Sequence, residues 1–199
     1  CIRDSYDHYL LIEIGAPGAA SDMRDQVEET LAAAFERGWL LDASVAASGT
    51  QREDFWRIRE SIPEATKLTG AGIKHDIAVP LTDVAEFIER GSAGVLGVMP
   101  SAKLVIFGHL GDGNLHFNLN QPDDLPAPDF MSRADDFGDV VHDLAVSMNG
   151  SFSAEHGVGR LKLESMEKHK SSVERALMSR LKMALDPDGV LNPGKVVTD

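Results

Sequence analysis

The chain has 199 residues, 43% of them hydrophobic and 26% charged, enough to bury one sizeable core. Its formal net charge of −13 at pH 7 argues against a nucleic-acid backbone or an anionic membrane surface as partner, because both need cationic patches. The only cysteine is Cys1, so no intramolecular disulfide can form and a reducing, cytoplasmic setting fits. No run approaches about 20 apolar residues, which excludes a transmembrane helix, and the first residues lack the layout of a signal peptide. The chain starts with Cys rather than Met and enters a strand-like run almost at once, so it reads as a piece of a longer polypeptide with the missing part on the N-terminal side.

Aromatic and β-branched residues over Tyr6 to Ile14 predict a strand, closed by a Gly15–Gly18 loop. Asp22 then opens an amphipathic helix with Met23, Val27, Leu31 and Ala34 on one face, ending at Gly38. Leu40 to Val45 predicts a short strand. Thr50 and Glu53 have capping-box spacing, starting a helix that reaches about Leu68 with Phe55, Ile58, Ile62 and Ala65 as its apolar stripe. Pro63 should kink it, because proline lacks an amide and crowds the carbonyl of Arg59. Ile73, Ile77 and Val79 alternate with Lys74, Asp76 and Ala78 in a two-faced strand, and His75 on its apolar side reads as a packed core residue.

A helix over Thr82 to Arg90 leads to a hairpin from Lys103 to Asn120. With Asp112-Gly113 as a two-residue turn, His109 faces His116 and both rings can reach one divalent cation. Phe107 and Asn118 project from the same face by period-two counting. Phe130, Ala134, Phe137, Val141, Leu144 and Met148 mark a core-facing helix that Gly150 can end with a left-handed cap. Farther on, Glu155 can supply the carboxylate that two imidazoles lack, leaving neighbouring His156 as a free base. A helix over Ser172 to Leu185 and a turn-rich tail complete the chain. Together the elements predict an α+β domain, a mainly antiparallel sheet covered by helices on one face.

Gly108-His-Leu-Gly-Asp-Gly-Asn-Leu-His-Phe-Asn118, Ser153-Ala-Glu-His-Gly-Val-Gly159 and Leu191-Asn-Pro-Gly-Lys195 occur in that order. Together they resemble the C-terminal domain of FAD-linked oxidases of the vanillyl-alcohol oxidase superfamily, in the D-2-hydroxyacid dehydrogenase branch that includes the D-2-hydroxyglutarate and D-lactate enzymes. The resemblance implies a ferredoxin-like substrate (cap) domain over residues 1–199, its tail at 186–199 approaching a flavin. The FAD-binding domain would be the missing N-terminal partner, and no GxGxxG loop occurs here. It further implies that His109, His116 and Glu155 bind a divalent metal, zinc or else manganese, and that His156 is the general base for oxidation of a 2-hydroxy acid to a 2-oxo acid with hydride transfer to FAD. Arg59 and Lys74 would hold the substrate carboxylate, Asn118 would hydrogen-bond the substrate, and Asn192 would approach the flavin ring. Pro63 stands where the hydroxyglutarate branch, as aligned, has a hydroxyl; proline cannot donate a hydrogen bond to a distal carboxylate, and the substrate stays open among D-lactate, glycolate, D-2-hydroxyglutarate and longer D-2-hydroxyacids.

Two other readings compete on the residues alone. One is a non-catalytic α+β interaction module using its open sheet face, although 6% aromatic content supplies few anchors for an interface. The other is a stand-alone zinc hydrolase in which His156 activates metal-bound water. The electron acceptor is not legible in the sequence, and association into a homodimer stays open.

Overall fold

The computed structural model describes residues 6–15 and 20–197. It divides into two units, Cys1–Ala65 and Thr66–Asp199. The predicted loop over 15–18 and the last two residues of the tail fall largely or wholly outside the described set.

In the first unit, α1 (Ala20–Glu36) follows the predicted amphipathic pattern, and Gly38 takes the left-handed φ of +71° just past its end. The next helix, α2 (Gly49–Glu60), is capped by Ser48 rather than Thr50: the Ser48 hydroxyl accepts from the Gln51 amide, while the Gln51 side chain accepts from the Ala47 amide. Ser48-x-x-Gln51 has capping-box spacing two residues earlier, with Gln51 reaching the amide of Ala47 rather than that of Ser48 itself. The chain breaks at Ser61 and restarts as α3 (Ile62–Lys67), with Pro63 in the first turn, where its missing amide costs nothing. The expected apolar stripe is not buried, since α2 has no buried residue and Ile58 is exposed. Nor do the predicted strands at 6–14 and 40–45 form among the described residues. Their side chains fit a sheet, but strand structure needs a hydrogen-bonded neighbour and neither run has one here.

The second unit is built on a three-stranded antiparallel sheet of β1 (Gly72–Ala78), β2 (Lys103–His109) and β3 (Asn114–Asn120), in the order β1-β3-β2. Alternation puts Ile73, His75 and Ile77 of β1 and Leu115, Phe117 and Leu119 of β3 on one face. That face is buried under α4 (Val84–Val98) and α6 (Ala134–Ser147), with Phe87, Val95, Phe137 and Val141 fully enclosed. Phe87 meets Phe117 edge-on, with centroids 5.9 Å apart, a favoured aromatic geometry.

α4 runs two turns past the predicted end at Arg90. Gly91 and Gly94 look like helix breakers in the sequence but let neighbours approach: an added Cβ would lie 3.1 Å from the Phe117 ring and 2.7 Å from Val140 Cγ1 respectively. The helix predicted from Phe130 is split into α5 (Ala127–Met131) and α6, both burying the expected residues. Its left-handed end residue is Asn149 (φ +59°), not Gly150. Gly150 serves close approach instead, because a Cβ there would sit 2.2 Å from the Ala78 carbonyl. A helix the periodicity did not reveal, α7 (Leu163–His169), precedes the predicted α8 (Ser172–Leu185), which Ser171 and Glu174 open with a full capping box.

His75 is a core residue, as predicted. It is 5% exposed, and its Nδ1 lies 3.3 Å from Nε2 of buried His142 on α6.

Candidate active site

Most of the expected site residues lie on or beside the face of the sheet turned away from α4 and α6. Registered across it are Lys74, Asn118 and Val105 on one rung, and Asp76, His116 and Phe107 on the next. Ala78, Asn114 and His109 form the third. Residues opposed on adjacent strands have Cβ atoms about 5 Å apart, so Lys74 and Asn118 are direct neighbours one rung from His116.

The hairpin differs from the predicted two-residue turn. His109 pairs with Asn114, and the connection is a four-residue loop, 110–113, containing a 3-10 turn over Leu110–Asp112. Asp112 Oδ1 accepts from the Asn114 amide, and Gly113 adopts φ +71° with its carbonyl receiving the Val79 amide. A local side-chain cap and a contact from outside the hairpin thus lengthen the loop. The slip is by two positions on β3, and because side chains alternate with period two both imidazoles stay on one face. They stand diagonally, with ring centroids 6.2 Å apart.

The loop after α6 brings the remaining groups. It is anchored by the reciprocal Ala78–Ser151 bridge and places Glu155 with Oε1 3.0 Å from His109 Nδ1 and Oε2 3.8 Å from His116 Nε2. Each contact is within about 0.5 Å of the spacing of ligand atoms around a tetrahedral zinc with bonds near 2.0 Å, while the three donors do not all lie within 4.8 Å of one another. The His156 ring stacks on His116, centroids 5.6 Å apart, and is well exposed on its outer side. Burial lowers the His116 pKa, opposed by Asp76 and Glu155 and reinforced by His156 and His109. The neutral ring favoured by that shift is the form that binds metals.

Asp76 was not singled out by its sequence and is the most buried polar group of the site, 2% exposed. Its carboxylate lies 3.8 Å from His116 Nδ1 and 3.9 Å from His156 Nδ1, and these three form the tightest cluster of metal-capable donors among the described residues. Oδ2, however, already accepts from the amides of Ala154, Glu155 and His156. With the Asn114 side chain also donating to Oδ1, the roughly four lone-pair sites of the carboxylate are all taken. His109, His116 and Glu155 engage one another instead, with the Glu155 carboxylate shared between the two rings. Burial pushes the Asp76 carboxyl up, but the His156 amide, the Asn114 side chain and the Glu155 amide outweigh it and hold the group below the ordinary carboxylate range.

The structure thus brings together Lys74, Asn118, His109, His116, Glu155 and His156 in the second unit. Arg59 lies on α2 of the first unit. Asn192 stands exposed on the tail with φ +50°, its Oδ1 accepting from Lys195 Nζ at 3.0 Å.

The family model for the C-terminal domain of FAD linked oxidases matches residues 1–196, and the chain belongs to that family. It is 35% identical over 188 residues to D-2-hydroxyglutarate dehydrogenase of Stutzerimonas stutzeri (strain A1501), covering 94% of this chain and 40% of that protein. To D-2-hydroxyglutarate dehydrogenase of Xanthomonas citri pv. viticola it is 36% identical over 196 residues, covering 96% of this chain and 40% of that protein. The mitochondrial D-2-hydroxyglutarate dehydrogenase of Arabidopsis thaliana is 35% identical over 201 residues, with 98% of this chain and 34% of that protein covered. The chain therefore spans two-fifths or less of these relatives' length. No helix among the described residues is long and apolar enough to cross a membrane.

Proposed function

We propose that this chain is the substrate-binding and metal-binding domain of a flavin-dependent D-2-hydroxyacid dehydrogenase, working with an FAD-binding domain elsewhere in the same polypeptide. D-2-hydroxyglutarate is the first substrate to try, since the relatives bear its name; D-lactate and other 2-hydroxy acids are the comparison. The carrying observation is the shared face: Lys74 and Asn118 adjoin the His109, His116 and Glu155 cluster, and exposed His156 stacks over His116.

Lys74 neutralises the substrate carboxylate and Asn118 orients it, placing the C2 hydroxyl toward His116 and His156. His156 accepts the hydroxyl proton. Its open outer side lets substrate reach it and lets the proton leave to water afterwards. A divalent metal held by His109, His116 and Glu155 would supply a Lewis acid for the oxygen losing that proton, and FAD would supply the two-electron acceptor. Arg59 is proposed from its sequence context as a further carboxylate-binding cation.

Positioned general bases contribute about 10² to 10⁴ in rate. In the complete flavoprotein, His156→Ala should therefore lower kcat for D-2-hydroxyglutarate at least about 100-fold with flavin content unchanged. Undiminished turnover would overturn the assignment.

A further inference from the structure

We infer that Asp76 is the positioning residue that sets the geometry of the active-site loop, and that it acts through its carboxylate without ligating the metal. This rests on the reading of the site given above and adds a residue to it.

Three observations converge on Asp76. Its Oδ2 gathers three consecutive amides, those of Ala154, Glu155 and His156, at 3.2, 2.8 and 2.8 Å. The Ala154 amide is shared with the main-chain carbonyl of Asp76 at 3.2 Å. Oδ1 accepts from Asn114 Nδ2 at 2.9 Å, and Asn114 is tied in turn to the Ile77 carbonyl at 3.2 Å. The carboxylate thus links β1 and β3 to the loop that carries one ligand and the base.

Successive amides pointing into one concavity form an anion-binding nest, and here the anion is a side chain of the sheet. Because the backbone of Glu155 and His156 is held from below, their side chains are fixed relative to His109 and His116 on the hairpin. Asp76 also faces Nδ1 of His116 at 3.8 Å, on the side of the ring opposite the nitrogen that faces Glu155. A negative charge there favours the tautomer with hydrogen on Nδ1 and the lone pair on Nε2, the pattern by which outer carboxylates orient metal-bound histidines.

A neutral isostere replaces it at a cost. In Asp76→Asn the oxygen can still face the three amides, but its NH₂ then meets the NH₂ of Asn114, whose otherwise unpartnered Oδ1 can accept it only if that amide flips and gives up the bond to the Ile77 carbonyl. Loss of the charge and of that bond loosens the loop.

The test is Asp76→Asn in the complete flavoprotein, beside His109→Ala/His116→Ala and His156→Ala. Zinc affinity is read by competition with a chromophoric chelator, together with kcat, flavin content and thermal midpoint. Loss of an outer-shell partner costs 10- to 100-fold in metal affinity or activity, so Asp76→Asn should weaken zinc binding by about 10-fold or more and lower kcat while still holding flavin. Wild-type zinc affinity and kcat in Asp76→Asn, with the histidine variants impaired, would overturn this inference alone. If the histidine variants also bind zinc and turn over normally, the reading of the site falls and this inference falls with it. Should Asp76→Asn fail to fold, Asn114→Ala releases the Oδ1 contact together with the bond to the Ile77 carbonyl, leaves the three amides on Oδ2, and should weaken zinc binding about fivefold; unchanged affinity there overturns the inference.

Discussion

His109 stands opposite Asn114 across the β2–β3 hairpin, not opposite His116. The offset depends on two glycines. A Cβ at Gly108 would lie 2.0 Å from the Asn114 carbonyl oxygen, and one at Gly113 would lie 2.0 Å from that of Val79 at a φ of +71°. Overpacking against backbone typically costs about 1 to 3 kcal/mol. Gly113→Ala adds a left-handed backbone penalty of about 1 kcal/mol. Gly113→Ala should thus destabilise the domain by about 2 kcal/mol or more and weaken metal binding in parallel. Urea denaturation and chelator competition check both effects; wild-type values for both would show the loop geometry to be dispensable.

Stability should fall below neutral pH through the pair under the sheet. Burial, then His142 and Lys162, lower His75 from 6.5 to about 3. Burial, then Lys162 and His169, lower His142 to about 4, against the opposing pull of Asp143 and Asp139. Ser165 Oγ also lies 3.3 Å from His142 Nδ1, and the Phe152 ring packs beside it. The unfolded chain binds protons at these sites first, so their stabilising contribution is complete above pH 6.5 and is lost as pH falls toward 4 and 3. Each histidine adds a slope of up to about 1.4 kcal/mol per pH unit. Urea midpoints from pH 7.5 to 4.5 should drop more steeply for the wild type than for a His75→Leu/His142→Leu variant. Parallel slopes would show that the pair does not titrate as its burial requires.

Much of this arrangement is legible in the sequence, and the exceptions have causes. Alternation along residues 73–79 put Lys74 and Asp76 on one face and His75 in the core, as found. The hairpin gave the shared face of His109 and His116, though not the register, because a side-chain cap from Asp112 and a contact from Val79 lengthen the loop. Asp76 escaped notice because an acid on the polar face of a strand looks solvated. Its amide partners on the loop lie 78 to 80 residues away, and Asn114 lies 38 away, beyond any local pattern. The strands expected at 6–14 and 40–45 failed for a complementary reason: composition reports fitness for a sheet, while a ladder needs a neighbour.

Lys162 braces the active-site loop from another side. Its ammonium, half-buried, donates to the Phe152 carbonyl at 3.2 Å and to Ser153 Oγ at 3.1 Å, and the Ser153 hydroxyl donates onward to the Gly157 carbonyl. Lys162→Met keeps the stem but leaves the Phe152 carbonyl without this donor, a loss of about 1 to 3 kcal/mol. Thermal denaturation should show a midpoint several degrees lower, with amide exchange accelerated over 152–157 more than in α4. Uniform exchange rates would place the effect elsewhere.

Lys74 sits one rung from His116 and beside Asn118. Hydrogen bonds to charged groups are worth about 1.5 to 3 kcal/mol, so Lys74→Met in the complete enzyme should raise KM for a 2-hydroxy acid by roughly 10- to 100-fold. kcat should change much less, because this contact holds substrate and transition state alike. A large fall in kcat at constant KM would instead give Lys74 a part in the chemical step.

One shared metal among His109, His116 and Glu155 is the central element of the proposed site. Elemental analysis of the purified complete protein, with and without His109→Ala/His116→Ala, tests it most directly. We predict about one divalent metal per chain in the wild type and almost none in the double variant, with flavin retained in both. A wild type that stays metal-free after equilibration with zinc or manganese, or a double variant that keeps its full metal content, would contradict it.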